Sequence, residues 1–277
     1  MPSMYGDLAR PPLHADALRR ALVTPDALWT EVEVVDQSPS TNAELGHRAR
    51  NSDADGVVLV AEHQTAGRGR LDRTWTTPAR SGLTLSVLVR PTAVEPGRWP
   101  WLPLMVGLVV AASLRDQAGV EAAVKWPNDV IVDDRKVAGI LVERVEGAGR
   151  APAAVIGIGL NVSLHEHELP VPTATSLVLE QATMTDRSQL ARALLRNFER
   201  VYGGWLRAGG DPAQGLQAAY VDACATIGRR VRVELVGGQV ATGDAVAVDP
   251  LGRLLVRTAQ GLQAFGAGDV VHLRRAT

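Results

Sequence analysis

Residues 56–61 form an unbroken apolar run, and the segment directly after them ends in Gly67, Arg68, Gly69 and Arg70. A short apolar run bounded by turn residues predicts a buried strand, so this segment begins where the strand leaves the core. Glycine lets the backbone approach a ligand closely, and arginine carries a permanent charge on a planar fork of donors. The pattern therefore predicts an anion-binding loop. Taken alone, it fits a solvated surface turn better.

The composition limits the kinds of partner. Of the 277 residues, 46% are hydrophobic and 21% are charged, as in ordinary globular proteins with a core. This length predicts one large domain and a small one, at about 100–200 residues per domain. The net charge of −1 gives no overall field toward nucleic acid or an anionic membrane. Any anion site must therefore be local.

Cysteines and membrane signals are sparse. Cys224 is the single cysteine, so it cannot form an internal disulfide, and no Cys/His group has metal-ligand spacing. The most apolar stretch, 101–114, is shorter than the roughly 18 residues that a membrane span needs. The N-terminal region lacks the apolar core of a secretion signal. We therefore expect a cytoplasmic protein with no membrane partner and no metal site of its own.

Apolar periodicity divides the chain in two. Helices are expected at 13–23, 43–50, 102–118, 188–206 and 212–225, and strands at 31–35, 56–61, 83–89, 122–126, 130–132, 137–145 and 153–162. From residue 227 onward, short alternating runs separated by glycine-rich turns predict a small all-β module such as an SH3-like barrel. We expect domains at 1–226 and 227–277, with a loose terminus at 1–12.

The turn at residues 38–42 leads into the second predicted helix. Thr41 stands three residues before Glu44, the spacing of a capping box, which predicts Thr41 as the N-cap. The start of a helix also presents unpaired N–H groups. The same turn is therefore able to bind a polar group of a ligand.

Glycines stand inside two successive predicted strands, at Gly139, Gly157 and Gly159. Glycine in the interior of a strand marks a bulge or a backbone pressed close to a ligand. The three glycines favour a sheet face kept bare for a flat, buried small molecule. A bulged strand is the alternative.

Residues 125–129 read Lys-Trp-Pro-Asn-Asp at the end of a predicted core strand. Burying an ammonium group is costly unless its charge is paired, and a reacting carboxylate or phosphate would supply that pair. Asn128 and Asp129 are suited to contact a nucleotide or a hydrated Mg²⁺, which takes one or two carboxylates plus phosphate oxygens. Taken alone, Asn-Asp before a strand is a turn signal.

Four separated motifs occur in one order: residues 40–42, 64–70 with Trp75, 125–129 with 136–141, and 157–162. Together they resemble the biotin protein ligases, of the biotin–[acetyl-CoA-carboxylase] ligase type, over about residues 30–275. The resemblance implies an α+β catalytic domain, like that of class II synthetases. Its sheet is mixed and largely antiparallel with helices on one face, and the SH3-like barrel follows it.

The resemblance also implies the reaction. Biotin and ATP, accompanied by Mg²⁺, form biotinyl-5′-AMP, and the biotin then passes to a lysine of a biotin carboxyl carrier domain. No protein nucleophile takes part. Lys125 would stand between the biotin carboxylate and the phosphate, and Lys125 and Arg70 are the expected catalytic residues.

Roles for the other motif residues follow from the same resemblance. The implied biotin contacts are Ser40, Thr41, Asn42, Gln64, Gly67, Arg68, Gly69, Arg70, Lys125, Gly139 and Gly159. The implied contacts with ATP or the adenylate are Arg68, Arg70, Trp75, Asn128, Lys136 and Asn161. Residues 65–82 bury little, so this loop is expected to be mobile until a ligand binds.

The chain departs from the family pattern in two places. Members that double as repressors carry an N-terminal DNA-binding domain, which a single short helix at 13–23 cannot form. We therefore expect a monofunctional ligase that does not bind DNA. Leu71, Asp72 and Arg73 follow Arg70 where many members have a glycine, which lessens the predicted mobility of the loop.

Two other functions stay open at this stage. Lipoyl or octanoyl ligases share the fold, but they resemble one another through an Arg-Arg and Gly-Gly-Gly loop that this chain lacks. A biotin-sensing regulator without catalysis is the second alternative, and the intact Lys125 argues against it. A chance pattern in an unrelated α+β protein is improbable, because four motifs match in order.

Overall fold

The computed structural model describes residues 10–235, 238–266 and 268–273. Its larger sheet has seven strands in the spatial order β1-β2-β3-β7-β6-β5-β4. These strands are β1 Glu31–Val35, β2 Val57–Ala61, β3 Gly82–Val89, β4 Ala123–Lys125, β5 Asp129–Val132, β6 Arg135–Val145 and β7 Ala153–Asn161. Only β1 and β2 pair in parallel, so the predicted mixed, largely antiparallel sheet is confirmed.

Helices cover both faces of this sheet. They are α1 Ala15–Leu22, α2 Thr41–Asn51, α3 Trp101–Ala118, α4 Arg187–Arg207 and α5 Leu216–Ala223. Val58 and Val60 of β2 belong to the core that contains α1, α3 and α4, whereas Val57 and Leu59 belong to a second core with α2. The predicted placement of the helices on one face is therefore wrong for α2. Because β2 is apolar and buried on both faces, the second face needs a cover of its own.

The α2 helix covers only part of its face. On β3 this face changes from the apolar Leu88 to Ser86, and on β7 it changes from Val155 to Gly157. The polar and glycine end extends beyond the apolar core beneath α2. A recess in the sheet surface results, and the predicted site residues collect around it.

The start of α2 differs from the predicted capping box. Ser40 is the N-cap, and its Oγ accepts a hydrogen bond from the N–H of Ala43 at 3.4 Å. Thr41 is the first helical residue, and the Glu44 carboxylate accepts from Ser38 Oγ at 2.5 Å. The prediction of Thr41 as N-cap is therefore wrong by one residue. The shift leaves the Thr41 hydroxyl free to bond across the sheet.

The described part of the N-terminal segment, from Arg10 onward, is bonded to the rest of the protein. Residues 1–9 of the predicted loose terminus lie outside the described residues. Arg10, by contrast, forms an ion pair with Glu168 at 2.5 Å, and the carbonyl of Pro11 accepts from Arg187 at 2.6 Å. Looseness is therefore wrong for Arg10 and Pro11, because the half-buried Glu168 and the buried Arg187 hold them.

A separate five-stranded antiparallel sheet follows, in the order β11-β10-β9-β8-β12. Its strands are β8 Arg230–Glu234, β9 Val240–Val248, β10 Leu254–Thr258, β11 Gly261–Phe265 and β12 Asp269–His272. This confirms the predicted all-β module, of which residues 236, 237, 267 and 274–277 lie outside the described part. Its proposed boundary at 226/227 stays a prediction.

Polar contacts join the two sheets. The indole N–H of Trp126 donates to the carbonyl of Gly252, and that of Trp101 donates to the carbonyl of Pro250, both at 3.0 Å. Thr226 Oγ1 accepts from the N–H of Trp126 at 3.1 Å and lies 3.0 Å from His272 Nε2. A largely enclosed histidine therefore forms part of the junction.

Acidification is expected to weaken this junction. Burial, followed by the charges of Lys125 and Arg229, lowers the pKa of His272 from 6.5 to about 4, against an opposing effect of Asp134. A depressed histidine pKa favours the neutral folded form, so the stability is present above pH 6.5 and is lost as the pH falls toward 4. Urea unfolding should show a loss of roughly 2–3 kcal/mol between pH 7 and 4.5 that His272→Gln lacks. Equal acid sensitivity in both proteins would assign the loss to other groups.

Candidate active site

The recess lies along one row of cross-strand partners. From β4 to β3 this row reads Lys125, Asp129, Gly139, Gly159 and Thr84, each residue paired with the next across the sheet. Because the pairs are in register, all five residues project toward the same face. Three motifs that are far apart in sequence thus meet on one line. The cleft above this line encloses about 760 Å³ of empty space, including its open mouth.

The three strand glycines form the floor of the cleft. Gly139 pairs with Gly159, and β6 and β7 keep one register along this stretch, so the bulge alternative does not apply there. A Cβ on Gly159 would lie 2.3 Å from the Trp75 ring, and one on Gly157 would lie 2.4 Å from Asn42 Oδ1. The bare floor is therefore needed for the close approach of these two side chains.

Gly159→Ala should destabilise the protein by about 1–3 kcal/mol, because the added methyl group collides with the Trp75 ring and overpacks the floor. Gly97→Ala is the matched control, since a Cβ at Gly97 has nothing within 4 Å. Denaturant unfolding would compare the two substitutions. Equal small effects would show that Trp75 moves aside without cost.

Four cationic side chains line the cleft: Arg68, Arg70, Arg73 and Lys136. Arg68 Nη2 contacts Glu143 Oε2 at 2.8 Å, and Lys136 Nζ contacts Asp129 Oδ1 at 2.6 Å. Arg73 pairs with Asp269 of the C-terminal sheet. Three of the four cations are therefore paired with protein carboxylates.

Arg70 and Lys125 have a different electrostatic setting. Arg70 Nη1 donates to Asn128 Oδ1 at 2.8 Å, and in the described part of the chain neither Arg70 nor Lys125 has a carboxylate within salt-bridge distance. Burial lowers the pKa of Arg70, and it also lowers the pKa of Lys125 against the opposing charge of Asp129. Both groups are poorly compensated cations beside the cleft, which favours the binding of an anion.

The tip of the arginine loop is a tight turn. Leu71 and Asp72 have φ values of 53° and 58°, and the N–H of Arg73 donates to the carbonyl of Arg70 at 3.2 Å. Two successive residues in the left-handed region are typical of a type I′ turn, which favours asparagine and glycine. The glycine that many family members carry near this place would suit the turn, and Leu71 costs about 1–2 kcal/mol there.

The other end of the cleft is polar and uncharged. Gln64 Oε1 accepts from the N–H of Thr41 at 2.8 Å and from its hydroxyl at 3.0 Å. The Thr41 hydroxyl also lies 2.7 Å from Ser86 Oγ. Ser40 lines the same end. From β3 toward β5, the walls thus change from hydroxyl and amide groups to charges.

The aromatic wall is Trp75. Its ring lies over Gly159, and Lys136 Nζ is 5.7 Å from the ring centroid. The indole N–H is buried and has no hydrogen-bond partner in the described structure. A buried donor without a partner is costly, and a ligand acceptor would satisfy it.

Three predicted site residues do not line the cleft: Gly67, Lys125 and Asn161. A Cβ on Gly67 would lie 2.4 Å from the carbonyl oxygen of Trp75, so this glycine shapes the loop. Asn161 is buried and donates to the carbonyl of Thr175 at 2.9 Å, beneath the wall. Lys125 stands at the outer end of the row, beside Asp129.

Of the residues without a predicted role in the site, Ser86 and Asp269 line the cleft, and Glu143 borders it through Arg68. A signal for Glu143 was present, because it follows Gly139 and Leu141 at alternate positions of β6 and so shares their face. Nothing near Asp269 in the sequence indicates its contact with Arg73, which lies 196 residues earlier.

Comparison with known proteins settles the family. The Biotin/lipoate A/B protein ligase family matches residues 32–161, and the Biotin protein ligase C terminal domain matches residues 226–273. The chain is 43% identical to the biotin–[acetyl-CoA-carboxylase] ligase of Mycobacterium tuberculosis, over 97% of this chain and 98% of that protein. The chain belongs to the biotin protein ligase family. The resemblance predicted from the four motifs is confirmed.

Other members of the biotin protein ligase family agree. The bifunctional ligase/repressor BirA of Bacillus subtilis is 30% identical over 83% of this chain and 71% of that protein. The biotin protein ligase from Aquifex aeolicus in complex with biotin and ATP superposes with a TM-score of 0.74 and 26% identity. That match covers 89% of this chain and 100% of the Aquifex chain.

Membrane-spanning helices and clusters of metal ligands are both absent from the described part of the chain. Among the described residues, no helix combines the length and apolar character needed to cross a membrane. Within the same ranges, no group of three or more His, Cys, Asp or Glu side chains is arranged to hold a metal ion.

Proposed function

We propose that the chain is an ATP-dependent biotin protein ligase acting in two steps. The carboxylate of biotin attacks the α-phosphorus of ATP, which forms the mixed anhydride biotinyl-5′-AMP and releases pyrophosphate. The amine of an acceptor lysine then attacks the acyl carbon and releases AMP. The observation that carries this proposal is the meeting of fixed cations, a bare glycine floor and an uncharged polar end in one cleft.

The cations of the cleft offset the repulsion between the two reacting anions. A carboxylate and a triphosphate repel each other by roughly 4 kcal/mol at about 4 Å and an effective dielectric of about 20. Arg68, Arg70 and Lys136 stand on the cleft wall to offset this repulsion, and Lys125 adds its charge from the end of the row. Positioning and charge stabilisation supply most of the rate in such chemistry, so no protein nucleophile is required.

The uncharged end suits the ureido ring of biotin. That ring carries one carbonyl acceptor and two N–H donors, and Ser40, Thr41 and Gln64 offer hydroxyl, amide and backbone groups. We assign Asn42 an indirect role, because both of its amide N–H donors bond to Leu141 and Glu143. The valeryl chain is assigned to the floor at Gly139 and Gly159, where it would displace the Trp75 ring and the Lys136 side chain that approach these glycines.

The charged end suits the nucleotide. We assign Trp75 to the adenine, with Arg68, Gly69, Arg70, Asn128 and Lys136 around the phosphates. Asn161 acts from beneath the wall by holding the carbonyl of Thr175. Mg²⁺ would be held by Asp129 together with phosphate oxygens, and it would add positive charge there.

The acceptor is proposed to be a biotin carboxyl carrier domain, and the compartment is proposed to be the cytoplasm. The name of the Mycobacterium relative specifies acetyl-CoA carboxylase as its acceptor. A single buried cysteine fits a reducing compartment.

The test is a reconstituted assay. Purified protein with biotin, ATP, Mg²⁺ and a carrier domain should release pyrophosphate and add one biotin to one carrier lysine, as read by intact-protein mass spectrometry. Lipoate or octanoate replaces biotin in the parallel arm. Transfer of those acids instead of biotin would move the chain to lipoyl ligation, and biotin binding without pyrophosphate release would make it a sensor.

A further inference from the structure

Glu143 forms hydrogen bonds to two separate segments of the cleft, the start of α2 and the arginine loop. One of its oxygens, Oε2, accepts from Asn42 Nδ2 and from Arg68 Nη2, both at 2.8 Å. Asn42 belongs to α2 at the polar end, and Arg68 belongs to the arginine loop at the charged end. A single carboxylate oxygen is thus the contact between them.

The contact continues back to the polar end without a break. Ser86 Oγ donates to Asn42 Oδ1 at 2.6 Å, and Ser86 Oγ lies 2.7 Å from the Thr41 hydroxyl. Thr41 in turn bonds to Gln64. Six polar side chains therefore connect in the order Gln64, Thr41, Ser86, Asn42, Glu143 and Arg68.

The side chains in the middle of this hydrogen-bonded series are buried. Thr41, Asn42 and Ser86 are 3%, 5% and 0% exposed, so solvent does not compete for their bonds. The absence of a side chain at Gly157 is what lets Asn42 lie flat on the sheet and reach Glu143. The Glu143 carboxylate is consequently aimed at the loop by buried neighbours, while the Arg68 side chain is 47% exposed.

We propose that Glu143 is a positioning residue that holds the arginine loop in the ligand-free protein and yields Arg68 to the incoming anion. The proposal rests on the function proposed above. A guanidinium engaged by a carboxylate is in the same charge-assisted geometry that it takes with a phosphate or a ligand carboxylate. Glu143 therefore stands in for the ligand, keeps Arg68 over the cleft, and competes with the ligand for the same group.

Because Glu143 and the ligand compete for Arg68, the direction of each expected effect can be stated. Glu143→Gln keeps an oxygen that accepts from Asn42 but removes the charge that holds Arg68. The ligand-free loop should then open more often, so trypsin should cleave at the loop arginines roughly two to five times faster, the range for partly exposed ion pairs. ATP should bind tighter by a similar factor, because Arg68 no longer has to leave a carboxylate.

Two matched controls isolate the contact. Glu146→Gln removes one negative charge just beyond the end of β6, where Glu146 pairs with Arg144, and should leave both readouts unchanged. In an Arg68→Met background, Glu143→Gln should lose its effect on ATP affinity, as a double-mutant cycle requires for a direct partner.

The outcomes separate the proposal from its alternatives. A purely structural Glu143 would give weaker ATP binding and a lower unfolding temperature in Glu143→Gln, which overturns the proposal, as would no change in either readout. Trypsin cleavage of the ligand-free protein and ATP binding require no transfer of biotin. If the wild type binds ATP without transferring biotin, the proposed function fails while the role of Glu143 is still tested.

Discussion

Arg70→Gly is expected to slow the formation of biotinyl-5′-AMP by about 10²–10³-fold, the usual cost of removing one preorganised charge from a reacting centre. Arg70 lines the cleft, is tied to Asn128 at 2.8 Å, and has no carboxylate partner of its own among the described residues. Its charge is therefore available to a phosphate, and burial strengthens the attraction by excluding water.

The same substitution should release the adenylate. Glycine at position 70 removes the tie to Asn128 and adds backbone freedom beside a turn whose Leu71 and Asp72 already have positive φ. The loop then closes less well over the product, so biotinyl-5′-AMP escapes and labels lysines without selection. The measurement is the ratio of free adenylate to pyrophosphate released, with mass spectrometry of a bystander protein.

Arg70→Lys is the matched control, because it keeps the charge and loses the planar fork of donors. It should recover much of the rate of adenylate formation but less of the retention. An Arg70→Gly protein that retains the adenylate as well as the wild type does would remove Arg70 from the closing of the loop.

Lys125→Met should reduce adenylate formation by about 10²-fold or more, while the biotin dissociation constant changes by only a few fold. Lys125 ends the row that passes through Asp129 and the floor glycines, and it has no carboxylate within salt-bridge distance in the described chain. Its charge acts from beside the cleft in which the two acids are proposed to meet. Pyrophosphate release and isothermal titration with biotin measure the two effects.

The pH profile provides an independent test of the same residue. Burial lowers the pKa of Lys125 below its ordinary 10.5, so the ammonium loses its proton as the pH rises through this lowered value. The neutral amine no longer attracts anions, and the rate of adenylate formation should fall on the alkaline side. Lys125→Arg should keep activity there, because arginine stays charged. A wild-type rate in Lys125→Met at pH 7 would exclude the residue from the reaction.

Most of the fold could be predicted because its elements carry strong local patterns. The apolar run of β2 and the long apolar helix α3 both lie within two residues of their predicted bounds. The exceptions have weak patterns. β11 carries no clear strand signal, because its residues are mostly exposed and lack the alternation that marks a half-buried strand.

The last helix was predicted too long. Residues 212–215 are not part of α5, because Gly215 at its N-cap has a φ of 101°, which breaks the helical path. Apolar periodicity alone does not record this conformation. The position of α2 on the second face was also missed, since a sequence shows that a strand is apolar but not which helix covers each side.

The residues of the candidate site also fall into two groups, those that local motifs predict and those that only the fold reveals. The motifs located the loop, the glycine floor and the lysine segment, because each is a local pattern with its own chemistry. Glu143 and Asp269 were missed, because their contacts with Arg68 and Arg73 span 75 and 196 residues. Such partners become visible only when the strands are in register.

The in-register row across β4, β5, β6, β7 and β3 has a consequence for how the gene can change. β6 and β7 present the floor glycines on the face of the cleft, and β7 buries its bulky neighbours Ile156 and Ile158 on the opposite face. Deleting or inserting one codon within β7 would exchange the two sets, which would fill the recess with isoleucine and leave holes in the core. Insertions and deletions among descendants of this gene should therefore occur in strand connections such as residues 146–152 and be rare within the strands.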